Sequence, residues 1–195
     1  MINNRLSCKC HIDLMIPKLN TATYVIRSIK QFLNLETLKK ACYSFAHSFL
    51  SYGIIFWGIS NYSKNIFKIQ KRIRIIMNAD NRISFRSLFK QLGILPLQSQ
   101  YIFSLMMFVA KNRELFVINT NVHNFLTRSH NDLHLPNTNL SVFQKGVYFS
   151  GVKIFNNLPT GLKQTSHNIY RFQKALKIFP LDNSFYSLKE YYNWK

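Results

Sequence analysis

Apolar residues return every three or four positions through most of this chain, a period that fits helices and not a β-rich core. The sharpest instance is Phe85, Leu88, Phe89 and Leu92, which fills the i, i+3, i+4, i+7 template. Ser84 stands before it as a helix N-cap, and Gly93 follows where a left-handed residue closes a helix. Pro96 blocks continuation, and Ile102, Leu105, Met106 and Val109 repeat the template in the next helix. Upstream, Ile12, Ile16, Leu19, Ile26, Ile29 and Leu33 trace one face of a first helix, with Pro17 near its start or kinking it. Asn34 is placed to cap a second, on which Leu38, Cys42, Phe45 and Phe49 recur at spacings of 4, 3 and 4. Gly53 and Gly58 bracket Ile54-Ile55-Phe56-Trp57, which reads as a short buried strand or a tight turn between helices. Ile66, Ile69, Ile73 and Ile76 build a further stripe.

The pattern changes at about Asn119. From there to Leu140 the chain is polar and rich in asparagine, and only Leu133-His134-Leu135-Pro136 alternates, so a loop with room for a minor β-ribbon is expected. Ser141-x-x-Gln144 reads as a capping box opening a helix towards Phe155, stopped by Asn157-Leu158-Pro159. Asn168 is positioned to cap a helix carrying Ile169, Phe172, Leu176 and Phe179, with Pro180 as its end, and Ser187-x-x-Glu190 starts a last short helix. The expected fold is therefore mostly α. Residues 1–118 form a small helical bundle, 119–140 a polar connector, and 141–195 a short helical C-terminal unit.

Charge narrows the function. Among 195 residues, 26 are Lys or Arg and 7 are Asp or Glu, a net charge of +19 with histidines neutral. At 47% hydrophobic and 15% aromatic the chain is too apolar for a disordered basic tail, so the excess belongs to folded surface and suits an anionic partner. Enrichment in Lys, Asn, Ile, Phe and Tyr would also follow from an A+T-rich coding sequence, an alternative source for some of the charge. The seven carboxylates (Asp13, Glu36, Asp80, Glu114, Asp132, Asp182 and Glu190) are scattered. Metal-dependent phosphoryl transfer needs at least two converging on Mg²⁺, and no pair is recognisable. Three cysteines are too few for a disulfide scaffold, and Met1 to Cys10 is polar, unlike a signal peptide, so an intracellular location, nuclear or cytoplasmic, is expected. The longest apolar run, Tyr43 to Ile59, carries His47, three serines and two glycines; a spanning helix wants ~20 mostly apolar residues, so the run reads as core.

The strongest constellation is basic. Lys64, Lys68, Lys71, Arg72, Arg74, Arg82, Arg86 and Lys90 lie within 27 positions, against Asp80 alone. Lys64, Lys68, Lys71 and Arg72 share one helix face, Arg86 and Lys90 another, and two such faces can track a phosphate backbone. An ordinary solvated helix face is the plainer reading, but so few carboxylates leave little to neutralise these cations. Other groupings are weaker. Cys8-x-Cys10-His11 lacks the second ligand pair of a structural zinc site, so reduced cysteines are expected. His123, His130, Asp132 and His134 crowd one polar segment without a nucleophile or an oriented partner. Arg128 and His130 there are better suited to phosphate. Tyr52 and Trp57 could stack on bases, but inside an apolar run both read as core. No phosphate-cradling glycine loop, nucleophile elbow or H-E-x-x-H is present.

These strings also form an ordered series. Leu6-Ser7-x-x-x-His11-Ile12 precedes Pro17-Lys18-Leu19-Asn20-Thr21-Ala22, then Ser48-Phe49-Leu50-Ser51-Tyr52-Gly53-Ile54-Ile55-Phe56-Trp57-Gly58. Ile69-Gln70-Lys71-Arg72-Ile73-Arg74-Ile75-Ile76 and Leu88-Phe89 with Ile94-Leu95-Pro96-Leu97 come next. Thr127-Arg128, Asn131-Asp132-Leu133-His134-Leu135-Pro136, Phe143-Gln144-Lys145-Gly146 and Phe155-Asn156-Asn157-Leu158-Pro159 complete it. The series covers nearly the whole chain and resembles the region after the palm in reverse transcriptases of jockey-like non-LTR retrotransposons. There are two departures: Cys8 stands where the family usually has Trp, and the basic helix is one residue short after Arg72, where the family tends to have Ala.

The resemblance implies the thumb and C-terminal extension of an RNA-directed DNA polymerase, gripping a template–primer duplex. The catalytic palm, with its Asp-Asp motif and Mg²⁺, lies upstream in the family, so no cofactor and no polymerisation are expected of this chain by itself. Its expected activity is duplex binding through Lys64, Lys68, Lys71, Arg72, Arg74, Arg82, Arg86 and Lys90, with Arg128 alongside; the polymerase remainder of the element is a further partner. Two alternatives stand beside it: a non-functional relic of a truncated insertion, and a basic membrane-surface protein inserting Tyr43 to Ile59.

Overall fold

A computed structural model describes residues 8–72, 82–122 and 129–194. The first stripe forms α1, Lys9–Ile29, whose buried row is Ile12, Met15, Leu19, Ala22 and Ile26. Pro17 sits inside it on the exposed side, where its missing N–H costs one backbone bond but no packing. A 3₁₀ turn, Lys30–Phe32, ends the helix, so Leu33 lies beyond the stripe in extended backbone. Asn34 caps α2, Leu35–Cys42, its Oδ1 accepting the Thr37 N–H at 2.9 Å.

Next the chain departs from the expected period. Tyr43–His47 is a π-helical turn, followed by α3, Ser48–Ser51. A π turn closes i→i+5 hydrogen bonds instead of i→i+4, so it rotates everything after Cys42 around the axis. Phe45 is therefore exposed and Leu50 takes the core position that an uninterrupted α-helix would not give it. Gly53, at φ +60°, turns the chain into α4, Ile54–Trp57, a single helical turn and not a strand. A Cβ on Gly58 would stand 2.6 Å from Tyr101 Cδ2 and 2.8 Å from the Ile54 carbonyl oxygen, so only glycine lets α4 end against its neighbour.

α5, Ser63–Gln70, buries Ile66, with Ile69 partly covered; Ile73 and Ile76 lie outside the described residues. α6, Phe85–Leu92, follows its template closely. Ser84 Oγ accepts the Arg86 N–H, Leu88, Phe89 and Leu92 are buried, and Gly93 at φ +66° closes a Schellman motif through Gly93 N–H to Lys90 O and Ile94 N–H to Phe89 O. α7, Leu97–Lys111, is the central element, with Ile102, Leu105, Met106 and Val109 fully buried. Gln70 ties α5 to its start: Nε2 donates to Leu95 O and Oε1 accepts the Leu97 N–H, both at 2.8 Å.

The ribbon foreseen in the connector is one antiparallel bridge, Ile118 to Leu133, flanked by Asn119 N–H to Asp132 O and His134 N–H to Val117 O. Asn156 grips both backbone groups of Leu133. The helix expected from Ser141 to Phe155 is broken: α8 is Ser141–Gln144 and α9 is Val147–Asn156. Gly146 is extended between them (φ −66°, ψ 157°), and Gln144 donates to Thr138 O instead of closing a capping box. α10, Thr160–Thr165, starts after Pro159. Asn168 Oδ1 caps α11, Ile169–Asn183, which runs through Pro180 and stops at Ser184 in the left-handed region. The end expected at Pro180 is thus three residues early. Ser187 caps α12, Leu188–Asn193.

The main core runs from Ile12 to Tyr191 around α7, and α9, α11 and α12 belong to it. Ser99 on α7 donates to Pro180 O, Tyr191 on α12 donates to Ile154 O, and a Cβ on Gly151 would stand 3.0 Å from Val109. A smaller cluster of Ile26, Leu38, Cys42, Phe89, Leu92 and Ile94 joins α1, α2 and α6. The fold is mostly helical, with no strand among the described residues. Among them no single helix is long and apolar enough to cross a membrane; α6 and α7 pass such a test only together, bent by 47°.

Candidate nucleic-acid interface

The basic stretch rests on two short helices whose apolar faces are held by the core. On α5, Lys64 and Lys68 project from the face opposite Ile66 and are exposed. Arg72 follows the helix, exposed, its Nη1 donating to Asn20 Oδ1 on α1 at 2.8 Å. Arg82 is exposed just before α6. Among the described residues, Lys64, Lys68, Arg72 and Arg82 enter no ion pair. Arg74 and Arg128 lie outside the described residues.

The cations nearer α6 have partners that the scarcity of carboxylates did not lead one to expect. Arg86 is ion-paired with Glu190 on α12, and Lys90 Nζ stands 2.7 Å from Asp182 Oδ1 on α11. Lys71 is half-buried under three rings, its Nζ 4.7 Å from the Phe67 centroid, 5.4 Å from Phe85 and 5.5 Å from Tyr186. The Arg86 guanidinium lies 4.8 Å from that same Tyr186 ring. Tyr186, Asp182 and Glu190 are the residues that sequence reasoning missed. Glu190 was legible as a capping residue, but nothing local announces a partner 104 positions away.

Cys8 Sγ donates to Phe56 O at 3.5 Å and Cys42 is buried; burial raises both thiols, Cys42 to about 11, while Cys10 is exposed. All three are free, and among the described residues no three His, Cys, Asp or Glu side chains gather as a metal site. Asp132 pairs with Lys163 at 2.8 Å, and His123 lies outside the described residues. Trp57 is core, 2% exposed, its Nε1 donating to Tyr52 O at 2.9 Å. Tyr52 is not: it is 75% exposed, because the chain turns outward there to enter the left-handed Gly53. Its ring borders an open groove of about 470 Å³ between α1 and α3, lined also by His11, Leu14, Met15, Lys18 and Phe49. Burial, then nearby positive charge including Lys18, holds the His11 imidazole below its usual range. His47, in the π turn, is lowered by burial and by Lys177.

The chain matches no protein-family model, and comparison with curated proteins and with solved structures likewise returns no match.

Proposed function

We propose that this chain is the thumb and C-terminal region of a jockey-like non-LTR retrotransposon reverse transcriptase, and that it binds template–primer duplex through its basic helical surface. One observation carries the binding: Lys64, Lys68, Arg72 and Arg82 are exposed cations that no carboxylate neutralises among the described residues. The ordered motif series supports the family. Phosphates are the simplest polyanion for such a surface, since each one neutralised releases condensed counterions. Base identity plays no part, because these lysines and arginines serve as backbone contacts.

Titration of a labelled RNA–DNA duplex at increasing salt tests the reading. With six cations on phosphates (Lys64, Lys68, Arg72, Arg74, Arg82 and Arg128), log affinity falls against log salt with a slope of about −5. A slope near zero, or no binding to any duplex at low salt, overturns it.

A further inference from the structure

Residues 141–195 carry eight lysines and arginines but only two carboxylates, Asp182 and Glu190. Both reach across to α6. Asp182, near the end of α11, takes Lys90, and Glu190, in the first turn of α12, takes Arg86. Glu190 is doubly held, because its Oε2 also accepts the Tyr186 N–H at 2.7 Å, which fixes the carboxylate under the guanidinium. Between the two acids, the Tyr186 ring lies against Arg86 and Lys71 together. Three of the eight cations between Lys64 and Lys90 are thus covered by one nine-residue stretch of chain, 182–190.

A carboxylate facing a guanidinium offers the same paired acceptor oxygens as a phosphate. We infer that Asp182 and Glu190 act as internal phosphate surrogates that keep Arg86 and Lys90 out of the nucleic-acid footprint, confining the duplex to the side marked by Lys64, Lys68, Arg72 and Arg82. The inference rests on nucleic-acid binding by this surface and specifies which of its cations take part. The pairs are exposed on both sides, and exposed pairs are weak. They limit the footprint by competition, and removing the carboxylates returns the cations to it.

The test compares four forms of the full chain on a labelled 20-base-pair RNA–DNA duplex across a salt series. These are the unaltered protein, Asp182→Asn/Glu190→Gln, a charge-matched control Asp13→Asn/Glu114→Gln, and Asp182→Asn/Glu190→Gln with Arg86→Ala and Lys90→Ala added. The first double variant gains two phosphate contacts, so its salt slope steepens by about 1.8 and its low-salt affinity rises roughly tenfold or more. The control gains the same net charge without that slope change, and the quadruple variant returns to the original slope. Glutamine retains the oxygen that accepts the Tyr186 N–H, and each single substitution gives about half the slope change, about 0.9, so the answer does not hang on one variant folding. Equal slopes for the surrogate variant and the charge control overturn the inference while leaving duplex binding intact. Absence of binding by the unaltered protein overturns the proposed function itself.

Discussion

α5 and α6 are each eight residues long, each lays an apolar stripe on the core, and each displays cations on the far side. They differ in what meets those cations. The α5 lysines face solvent, whereas the α6 pair meets the only two carboxylates of the C-terminal helices. They differ at their ends too. α6 has Ser84 at its start and the Gly93 Schellman closure at its end; Tyr62 precedes α5 with no side-chain cap. The same composition of helix thus yields one face open to an anion and one already engaged, and neither local sequence reveals which is which.

The contrast can be broken first at the packing that orients α6. Phe89→Ala removes a fully buried ring from the cluster joining α1, α2 and α6, and is expected to cost about 3–5 kcal/mol in urea unfolding. A cost under about 1 kcal/mol would mean that α6 is not anchored by its stripe, and its pairing geometry would lose its support. Duplex binding then sharpens the comparison at the cations themselves. Lys64→Ala/Lys68→Ala/Arg82→Ala flattens the salt slope by about 2.7, while Arg86→Ala/Lys90→Ala leaves it nearly unchanged. Equal flattening per residue in both sets would erase the distinction between the helices. The smallest effect is at the cap: Ser84→Ala should cost about 1 kcal/mol, read as a shift in the unfolding midpoint with unaltered cooperativity. No shift would show that the core face alone sets where α6 begins.

Much of the local architecture was legible in the sequence. Asn34, Ser84, Asn168 and Ser187 cap helices as their positions imply, because a short side-chain oxygen satisfies backbone N–H groups within its own first turn. The break at Gly146, the passage of α11 through Pro180 and the π turn at Tyr43–His47 were not legible. The last two have partners far along the chain. The Ser99 hydroxyl holds the Pro180 carbonyl, and Tyr43 hydrogen-bonds to the Gly93 carbonyl fifty residues away. Of the candidate interface, the cations were visible and their neutralisation was not: an excess of 26 basic over 7 acidic residues predicts that most cations go unpaired, without saying which.

Helical content, many of the buried positions, the side-chain caps and the strong basic excess were readable along the chain. Caps and apolar stripes are set within a turn or two of chain, and the charge by composition. Packing alone brings α9, α11 and α12 into the core of α7, turns Tyr52 outward while Trp57 is buried, and sets Arg86 and Lys90 against Glu190 and Asp182. These two ion pairs join side chains distant in sequence, and their choice of partner exists only once packing has fixed which helices are neighbours.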